Sequence, residues 1–376
     1  MALYKTLVKK VSISPEKKTK QKDYLPKGQL PIIDQGQQLI GGYSDNLDMQ
    51  LACKLPVIVF GDHTRAVKYV DFPFGAGADG IKVLEPAAGI YPKFLYYATQ
   101  YLVLRLEDRG YARHYQYIEK KELDIPSIPE QKRIVARIEE LFSELDNGVE
   151  TLRKTKQQLA VYRQAVLKEA FDRIIPNSKR QAIKSVCSDI KVGIVIKPAQ
   201  YYTDESNGIK AFRSANVREF RINDADWVYL TKEGHEANLR SEIHTGDVLI
   251  VRSGYPGTAC VVTDDYNKCN AIDILIAVPN TNIVTPEYLC AFTNSPYGRK
   301  LVAEKKRGVA QAHLNVGGYS KMDIPVPEIS VQKQVVQSIE QRLSVYDSIS
   351  RTIDTALQQA EAMRQSILKQ AFEGRL

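Results

Sequence analysis

The sequence predicts an α+β protein with two globular mixed α/β domains separated by a pair of long antiparallel coiled-coil helices, related by an internal pseudo-two-fold repeat. The first observation is an octet, QAVLKEAF at 164–171, that returns as QSILKQAF at 365–372. The second is the apolar spacing before each octet, which is that of a long helix. The third is that the two remaining blocks are short aliphatic runs broken by Gly, Pro and Asn, a pattern typical of strands and turns.

The repeat extends through about 42 residues. At a constant offset of 201, Gln131 aligns with Gln332, and Arg163 aligns with Arg364. Upstream, LDIP ending at Pro126 matches MDIP at an offset of 199, so the second copy has two extra residues before its helix. Self-similarity on this scale indicates one architecture written twice. The predicted segments are a first domain at 1–129, a first helix at 130–175, a second domain at 176–329 and a second helix at 330–376.

Within each copy, apolar residues recur at steps of three, four or seven and form one helical stripe. A helix of this length would span ~63 Å at ~1.5 Å per residue. It cannot bury its own stripe, and the other helix is the nearest surface of matching period. The long second domain returns the chain, so we expect antiparallel pairing with the domains at opposite ends. The alternative is that each helix packs only against its neighbouring domain. The predicted packing residues are Ile138, Phe142, Leu145, Leu152 and Leu159, with Ile339, Leu343, Tyr346, Ile353, Met363 and Ile367.

The two domain blocks share an order of elements with little shared sequence. Strand-like runs include 55–60 in the first block and 247–251 in the second, and each block has a short helical segment, at 91–98 and 285–292, with Pro near its start. This predicts a single β-rich fold used twice with different residues.

Composition limits the class of protein. The 376 residues are 44% hydrophobic and 26% charged, without an apolar run long enough to span a bilayer or a secretory signal, so we expect a cytoplasmic location without membrane association. The five cysteines lack any C-x-x-C pair, which argues against disulfides or structural zinc. The net charge of +8, with eight Lys between Lys5 and Lys27, permits a polyanionic partner.

Sequence motifs that would indicate catalysis or cofactor binding are absent or are not followed by the secondary structure that they need. Gly75, Gly77 and Gly80 fit G-x-G-x-x-G, but the following residues predict a strand where a nucleotide-binding helix would be needed. There is no phosphate-binding G-x-x-x-x-G-K-[ST] motif, and the five His, including His63 and His114, have no metal-ligand spacing. No nucleophile is paired with a base and an orienting acid. We therefore expect a non-enzyme without catalytic, metal or cofactor sites.

Polar and basic residues in the domain loops remain as candidate DNA contacts. Arg, Asn, Gln and Ser can read base edges through hydrogen bonds, and Lys suits phosphate. For any single residue, an ordinary solvated surface position is the alternative. The candidates are His63, Thr64, Arg65 and Lys68 in the first domain, and Arg213, Asn216, Arg218, Arg252, Ser253, Tyr255, Lys305, Lys306, Arg307 and Gln311 in the second.

The repeated segments resemble a known family. DIPSIPEQKRIVARIEELF at 124–142, closed by LKEAF at 167–171, resembles the repeated conserved region of type I restriction-modification specificity (S) subunits, and 323–376 resembles their C-terminal conserved region. The resemblance implies two target recognition domains that each bind half of a split, asymmetric site in double-stranded DNA, with the helices as a spacer. It also implies docking of two methyltransferase (M) subunits, which carry the modifying chemistry, and of restriction (R) subunits. Val331 departs from the pattern, because the first copy has Glu130 there.

Three other interpretations remain open. The chain could serve another DNA-modification or defence system, act as a coiled-coil adaptor without DNA binding, or itself methylate or cut DNA.

Overall fold

A computed structural model describes residues 1–78, 80–107, 110, 112–306 and 313–376. The chain divides into two compact units. The first unit is Met1–Arg153 with Asp354–Leu376, and the second is Lys154–Ile353. Each unit therefore takes part of both long helices, which the four predicted segments did not anticipate.

The first unit begins with a β-rich domain and continues into the first long helix. Its strands are β1 (Ala2–Leu3), β2 (Val8–Val11), β3 (Lys18–Thr19), β4 (Leu30–Ile33), β5 (Gly42–Ser44), β6 (Val57–Gly61), β7 (Val67–Val70), β8 (Gly75–Gly77), β9 (Ile81–Pro86) and β10 (Glu122–Leu123). Its helices are α1 (Pro92–Leu104), α2 (Tyr115–Ile118) and the start of α3 (Ile128–Asp172).

The main sheet of the first unit has the order β2-β9-β6-β7 and is antiparallel throughout. Alternate residues of β6 point to opposite faces: Ile58 and Phe60 join the core beneath α1, whereas Val57 and Val59 join the core on the other side. Both faces are covered, which explains why the run is continuously apolar. A smaller sheet has the order β3-β8-β4-β5.

The glycine-rich segment of the first unit is strand β8 in this smaller sheet, and the next element is β9, not a helix. The predicted strand after the glycines is confirmed. A Cβ at Gly77 would lie 2.5 Å from the Tyr24 hydroxyl oxygen and 2.6 Å from the Asp34 Cβ, so glycine permits the close approach of β8 to its neighbours.

The second unit repeats the main elements of the first and adds others, among them a two-stranded sheet. Its strands are β11 (Arg180–Ala182), β12 (Cys187–Val192), β13 (Tyr202–Thr203), β14 (Ile209–Phe212), β15 (Val217–Arg218), β16 (Arg221–Ile222), β17 (Val228–Leu230), β18 (Val248–Val251), β19 (Ala259–Val261), β20 (Asn270–Ala271), β21 (Ile274–Pro279) and β22 (Asp323–Pro325). Its helices are α4 (Ile183–Val186), α5 (Lys232–Glu236), α6 (Pro286–Asn294), α7 (Pro296–Lys306), α8 (Val316–Ser320) and α9 (Ile329–Phe372), which ends in the first unit.

The main sheet of the second unit has the order β12-β21-β18-β19, which is the order of the first unit strand for strand. In each unit one edge of the main sheet is a hairpin, β6–β7 in the first unit and β18–β19 in the second. Each smaller sheet contains a parallel pair of strands, β4 with β8 in the first unit and β14 with β20 in the second. The sheets differ in their last strand: β3 lies next to β8 in the first unit, whereas β13 lies next to β17 in the second. One fold is thus built from two dissimilar sequences.

The long helices pack antiparallel inside the first unit. The start of α3 contributes Ile138 and Phe142 to the same core as Ile367 and Leu368 from the end of α9. Arg364 pairs with Asp146, and its guanidinium carbon lies 4.3 Å from the centre of the Phe142 ring. As the residue numbers rise along α3, the numbers of the residues that they contact on α9 fall, as antiparallel pairing requires.

The second unit contains the reciprocal pair. Val166 and Phe171 near the end of α3 share a core with Ile339 and Leu343 near the start of α9. Arg342 bonds Glu169 at 2.9 Å between Nη1 and Oε2. The predicted antiparallel pairing is therefore confirmed within each unit.

The predicted packing residues differ in burial. Ile138, Phe142, Ile339, Leu343, Ile353 and Ile367 are buried, whereas Leu145, Leu152, Leu159 and Tyr346 are half-buried. Met363 is 55% exposed, so most of its surface lies outside the packed stripe. No helix in the described part of the chain is long and apolar enough to cross a membrane.

Candidate nucleic-acid interface

Two loops occupy the same position in the two main sheets. Residues 62–66 connect β6 to β7 in the first unit, and residues 252–258 connect β18 to β19 in the second. Each loop contains left-handed backbone: φ is 61° at Arg65 and 76° at Gly254. A non-glycine residue in this region is uncommon.

In the first unit, three of the four candidates lie on this loop. Thr64 is exposed and its hydroxyl donates to the Gln35 carbonyl. His63 is half-buried, with Nδ1 3.2 Å from the Ala112 carbonyl oxygen, and Arg65 is also half-buried. They lie together at the end of β6.

Lys68, the fourth candidate, lies inside strand β7 and is only 4% exposed. Its Nζ donates to the Asp34 carbonyl at 2.7 Å and lies 3.4 Å from Asp34 Oδ1. Burial lowers the pKa of Lys68, although the Asp34 carboxylate opposes that change. Its ammonium group therefore forms hydrogen bonds inside the domain and not at its surface.

A second segment meets each loop, and the sequence reasoning missed it in the first unit. The His114 amide donates to the Asp62 carbonyl at 2.8 Å, and the Leu314 amide donates to the Arg252 carbonyl at 3.1 Å. Residues 112–114 thereby lie beside the candidate loop. The signal was present, because His114 and His313 align at the 199 offset of the LDIP and MDIP motifs.

The second unit has an open groove beside its loop, with a volume of about 860 Å³. Its lining includes the candidates Arg218, Ser253 and Tyr255 together with Arg299, which the sequence did not single out. Tyr255 is 85% exposed at the tip of the loop, and Arg218 is also exposed. The Ser253 hydroxyl lies 2.5 Å from His313 Nδ1, which ties the loop to the second segment.

The carboxylate in this groove is held between two arginines. Glu219 Oε1 accepts from Arg299 Nη2 at 2.8 Å, and its Oε2 lies 3.2 Å from Arg163 Nη2. Arg299 also donates to the Pro256 carbonyl at 2.9 Å and so supports the loop. With Arg218 nearby, the charges at this wall sum to a positive value, which suits a polyanion.

Three other candidates of the second unit are engaged internally. Asn216 is fully buried; its Oδ1 accepts from the Arg213 amide at 3.0 Å and its Nδ2 donates to the Ala225 carbonyl at 2.9 Å. Arg213 donates to the Asp226 carbonyl at 2.6 Å. Arg252 is paired with Asp273. These side chains shape the loops from within.

Arg307 and Gln311 lie outside the described residues. Lys305 and Lys306 end helix α7, and only their backbone is described.

The described residues contain no group of three His, Cys, Asp or Glu side chains placed to hold a metal ion. Burial raises the pKa of Cys260 to about 12 and that of Cys269 to about 11, so both thiols remain protonated near neutral pH.

No protein-family model matches the chain. Among curated proteins it is similar to the type I restriction enzyme EcoBI specificity subunit of Escherichia coli, with 25% identity over 278 residues, covering 68% of this chain and 58% of that protein. It is 25% identical over 273 residues to the EcoKI specificity subunit of Escherichia coli strain K12, covering 68% and 57%. The chain thus matches less than two thirds of the length of these two relatives. With the EcoR124I/EcoR124II specificity subunit of Escherichia coli the identity is 23% over 373 residues, covering 92% and 86%.

Solved structures agree on the fold. A chain from a structure of the type I R-M system, concerned with its complex assembly and conformational transition, has a TM-score of 0.69 and 15% identity, covering 92% of both chains. The HsdS subunit from Thermoanaerobacter tengcongensis has a TM-score of 0.53 and 16% identity, covering 100% of this chain and 96% of that one. The chain is therefore similar in sequence to type I restriction enzyme specificity subunits, and it has the fold of an HsdS subunit.

Proposed function

We propose that this chain is a non-catalytic DNA-recognition subunit of a type I restriction-modification complex. Each of its two domains binds one half of a bipartite, asymmetric target in double-stranded DNA. The observation that carries the proposal is the pair of main sheets, which have one strand order and present different loop residues at the same position. One fold with two different sets of loop residues is suited to reading two different half-sites. The specificity subunits to which the chain is similar support the same role.

The DNA contacts are assigned to the loops at the ends of β6 and β18. In the second unit, Arg218 and Tyr255 are exposed beside a groove with positive walls. A guanidinium can hydrogen-bond guanine or phosphate, and a tyrosine ring offers an apolar surface with a polar end. In the first unit, Thr64 and Arg65 lie on the loop that corresponds to the loop of Tyr255. The buried Lys68 and Asn216 support the loops and do not touch DNA.

The long helices are assigned two roles: setting the spacing between the half-sites and docking two methyltransferase subunits, which restriction subunits then join. Exposed apolar residues on the helices support docking. Val161 on α3 is 71% exposed, and Val345 and Ile349 on α9 are exposed one turn apart. Residues four apart lie on the same helix face, so Val345 and Ile349 offer a local apolar surface. Methylation and cleavage then belong to these partners.

A salt titration of DNA affinity tests DNA recognition. The full chain, co-purified with its methyltransferase partners, is titrated onto a duplex target, and the logarithm of affinity should fall with the logarithm of salt by about 0.9 per phosphate contact. Arg218→Ala should cost about 1–3 kcal/mol if Arg218 reads a base, with discrimination lost at one position of one half-site. Arg240→Ala is the matched control, because Arg240 is exposed in the same unit and absent from the groove lining.

Three further measurements separate the competing interpretations. A coiled-coil adaptor would bind duplex DNA without salt dependence or not at all. An enzyme would yield methylated or cut DNA when the isolated chain is given S-adenosylmethionine or magnesium. Co-purified subunits other than a methyltransferase would assign the chain to another defence system.

A further inference from the structure

Each long helix carries one fully buried glutamine in its first turn. Gln131 is the fourth residue of α3 and Gln332 is the fourth residue of α9, and both are 0% exposed. A buried primary amide is costly unless its hydrogen bonds are satisfied, so its partners indicate its role.

In the first unit, the Gln131 amide joins three segments. Oε1 accepts from the Tyr91 amide at 2.7 Å, while Nε2 donates to the Gly89 carbonyl at 3.1 Å and to the Pro126 carbonyl at 2.9 Å. Tyr91 directly precedes α1, and Pro126 lies in the connection that leads into α3. The side chain thus ties the start of the long helix to the start of the domain helix.

The second unit repeats this network bond for bond. Gln332 Oε1 accepts from the Thr285 amide at 2.9 Å, and Nε2 donates to the Ile283 carbonyl at 2.8 Å and to the Pro327 carbonyl at 2.9 Å. Thr285 directly precedes α6, as Tyr91 precedes α1. Both N–H groups and the oxygen of each amide are used in both copies.

All six partners are backbone atoms. Two of the three residues that supply them differ between the units, with Tyr91 in place of Thr285 and Gly89 in place of Ile283, and the third is proline in both. A contact made only to backbone stays the same while the side chains of the domain change. The network is therefore suited to domains whose surfaces differ but whose attachment to the helix must be the same.

We propose that Gln131 and Gln332 are positioning residues that fix the direction in which each long helix leaves its domain, and thereby restrict the DNA target to one spacer length. This inference rests on the proposed function. Hydrogen bonds are directional, whereas the apolar contacts of Val135 and Ile138 nearby tolerate small rotations.

The length of the helix amplifies any loss of direction. A helix of 45 residues is ~67 Å long at ~1.5 Å per residue. A change of about 5° at its first turn moves its far end by ~6 Å, which is close to two base pairs at ~3.4 Å each. A small angular freedom at the glutamine is enough to admit targets of the wrong length.

The test is the spacer distribution in a methylation map of a host that expresses the chain with its methyltransferase partners. Gln131→Met keeps the approximate volume and removes all three side-chain bonds. We expect the half-sites to be retained, and methylation at sites one base pair too long or too short to rise at least tenfold relative to the cognate spacer. Gln157→Met and Gln358→Met are matched controls, since this second pair of repeated glutamines is exposed on the same helices. They should keep a single spacer.

Gln332→Met covers the case in which the Gln131 variant does not fold. It removes the same three bonds at the start of α9, so the same rise at off-length sites is expected. A folded variant whose methylation falls equally at all sites, with the spacer unchanged, would overturn the positioning role and leave an ordinary buried contact. Absence of any bipartite methylation with the unsubstituted chain would instead refute the proposed function itself.

Discussion

Replacing Phe171 with alanine should destabilise the second unit, although Phe171 belongs to the helix that starts in the first. Its ring is fully buried and lies 5.5 Å, centre to centre, from the rings of both Tyr288 and Phe292 on α6. Truncation of a buried Phe to Ala typically costs about 3–5 kcal/mol, because transfer free energy is lost and a cavity remains. The first unit has the mirror contact, where Phe372 packs against Phe94 and Tyr101.

The assay is amide hydrogen exchange of individual helices, measured under conditions in which the exchange rate reports the equilibrium between the closed and the open helix. A loss of about 3–5 kcal/mol speeds exchange between roughly 100-fold and several thousand-fold. For Phe171→Ala the effect should appear in α6 (286–294) and be much weaker in α1 (92–104). Val161→Ala is the control, since truncation of an exposed side chain on the same helix changes stability by less than about 0.5 kcal/mol.

Phe372→Ala should give the reverse pattern, with faster exchange in α1 and unchanged protection in α6. Faster exchange in α1 caused by Phe171→Ala would refute the crossed packing in which each long helix ends against the domain it does not start from. Unchanged exchange in both helices would refute the estimate of the burial energy.

Two further predictions concern the interior of the first domain and the length of the helices. Lys68→Met should lower stability, because the Asp34 carbonyl loses its donor, and should leave DNA affinity and its salt dependence unchanged; a reduced salt slope would show that Lys68 reaches phosphate. Deleting 149–155 together with 355–361 removes matched stretches of the antiparallel helices, shortens each by about 10 Å, and should shorten the DNA spacer by about three base pairs with both half-sites retained in a methylation map. Altered half-sites with the original spacer would contradict the second prediction.

The long helices were predictable because their periodicity is local and is written twice. The predicted first helix, 130–175, compares with Ile128–Asp172, and the predicted second helix, 330–376, compares with Ile329–Phe372. Met363 shows the limit of a hydropathy pattern. It keeps the apolar spacing yet is mostly exposed, while the guanidinium of its neighbour Arg364 covers the Phe142 ring. A charged side chain that packs by its planar face is invisible to a count of apolar residues.

The loops were less predictable because their partners come from distant segments. Lys68 and Asn216 have the side chains of surface contacts, but carbonyl groups of Asp34 and Ala225 hold them inside the domains. The repeat of Gln131 and Gln332 can be seen in the sequence, but the six backbone atoms to which they bond cannot be predicted from it. The proposed recognition residues follow no periodicity, because a half-site would impose requirements on a surface and not on a core.

Recognition of a bipartite target is measured most directly by a methylation map of a host carrying the unsubstituted chain and the proposed methyltransferase partners, compared with the same host lacking the chain. We expect methylation that depends on the chain and falls at two different short sequences separated by one fixed gap. A single continuous motif, two identical half-sites, or a map that does not change when the chain is removed would contradict it.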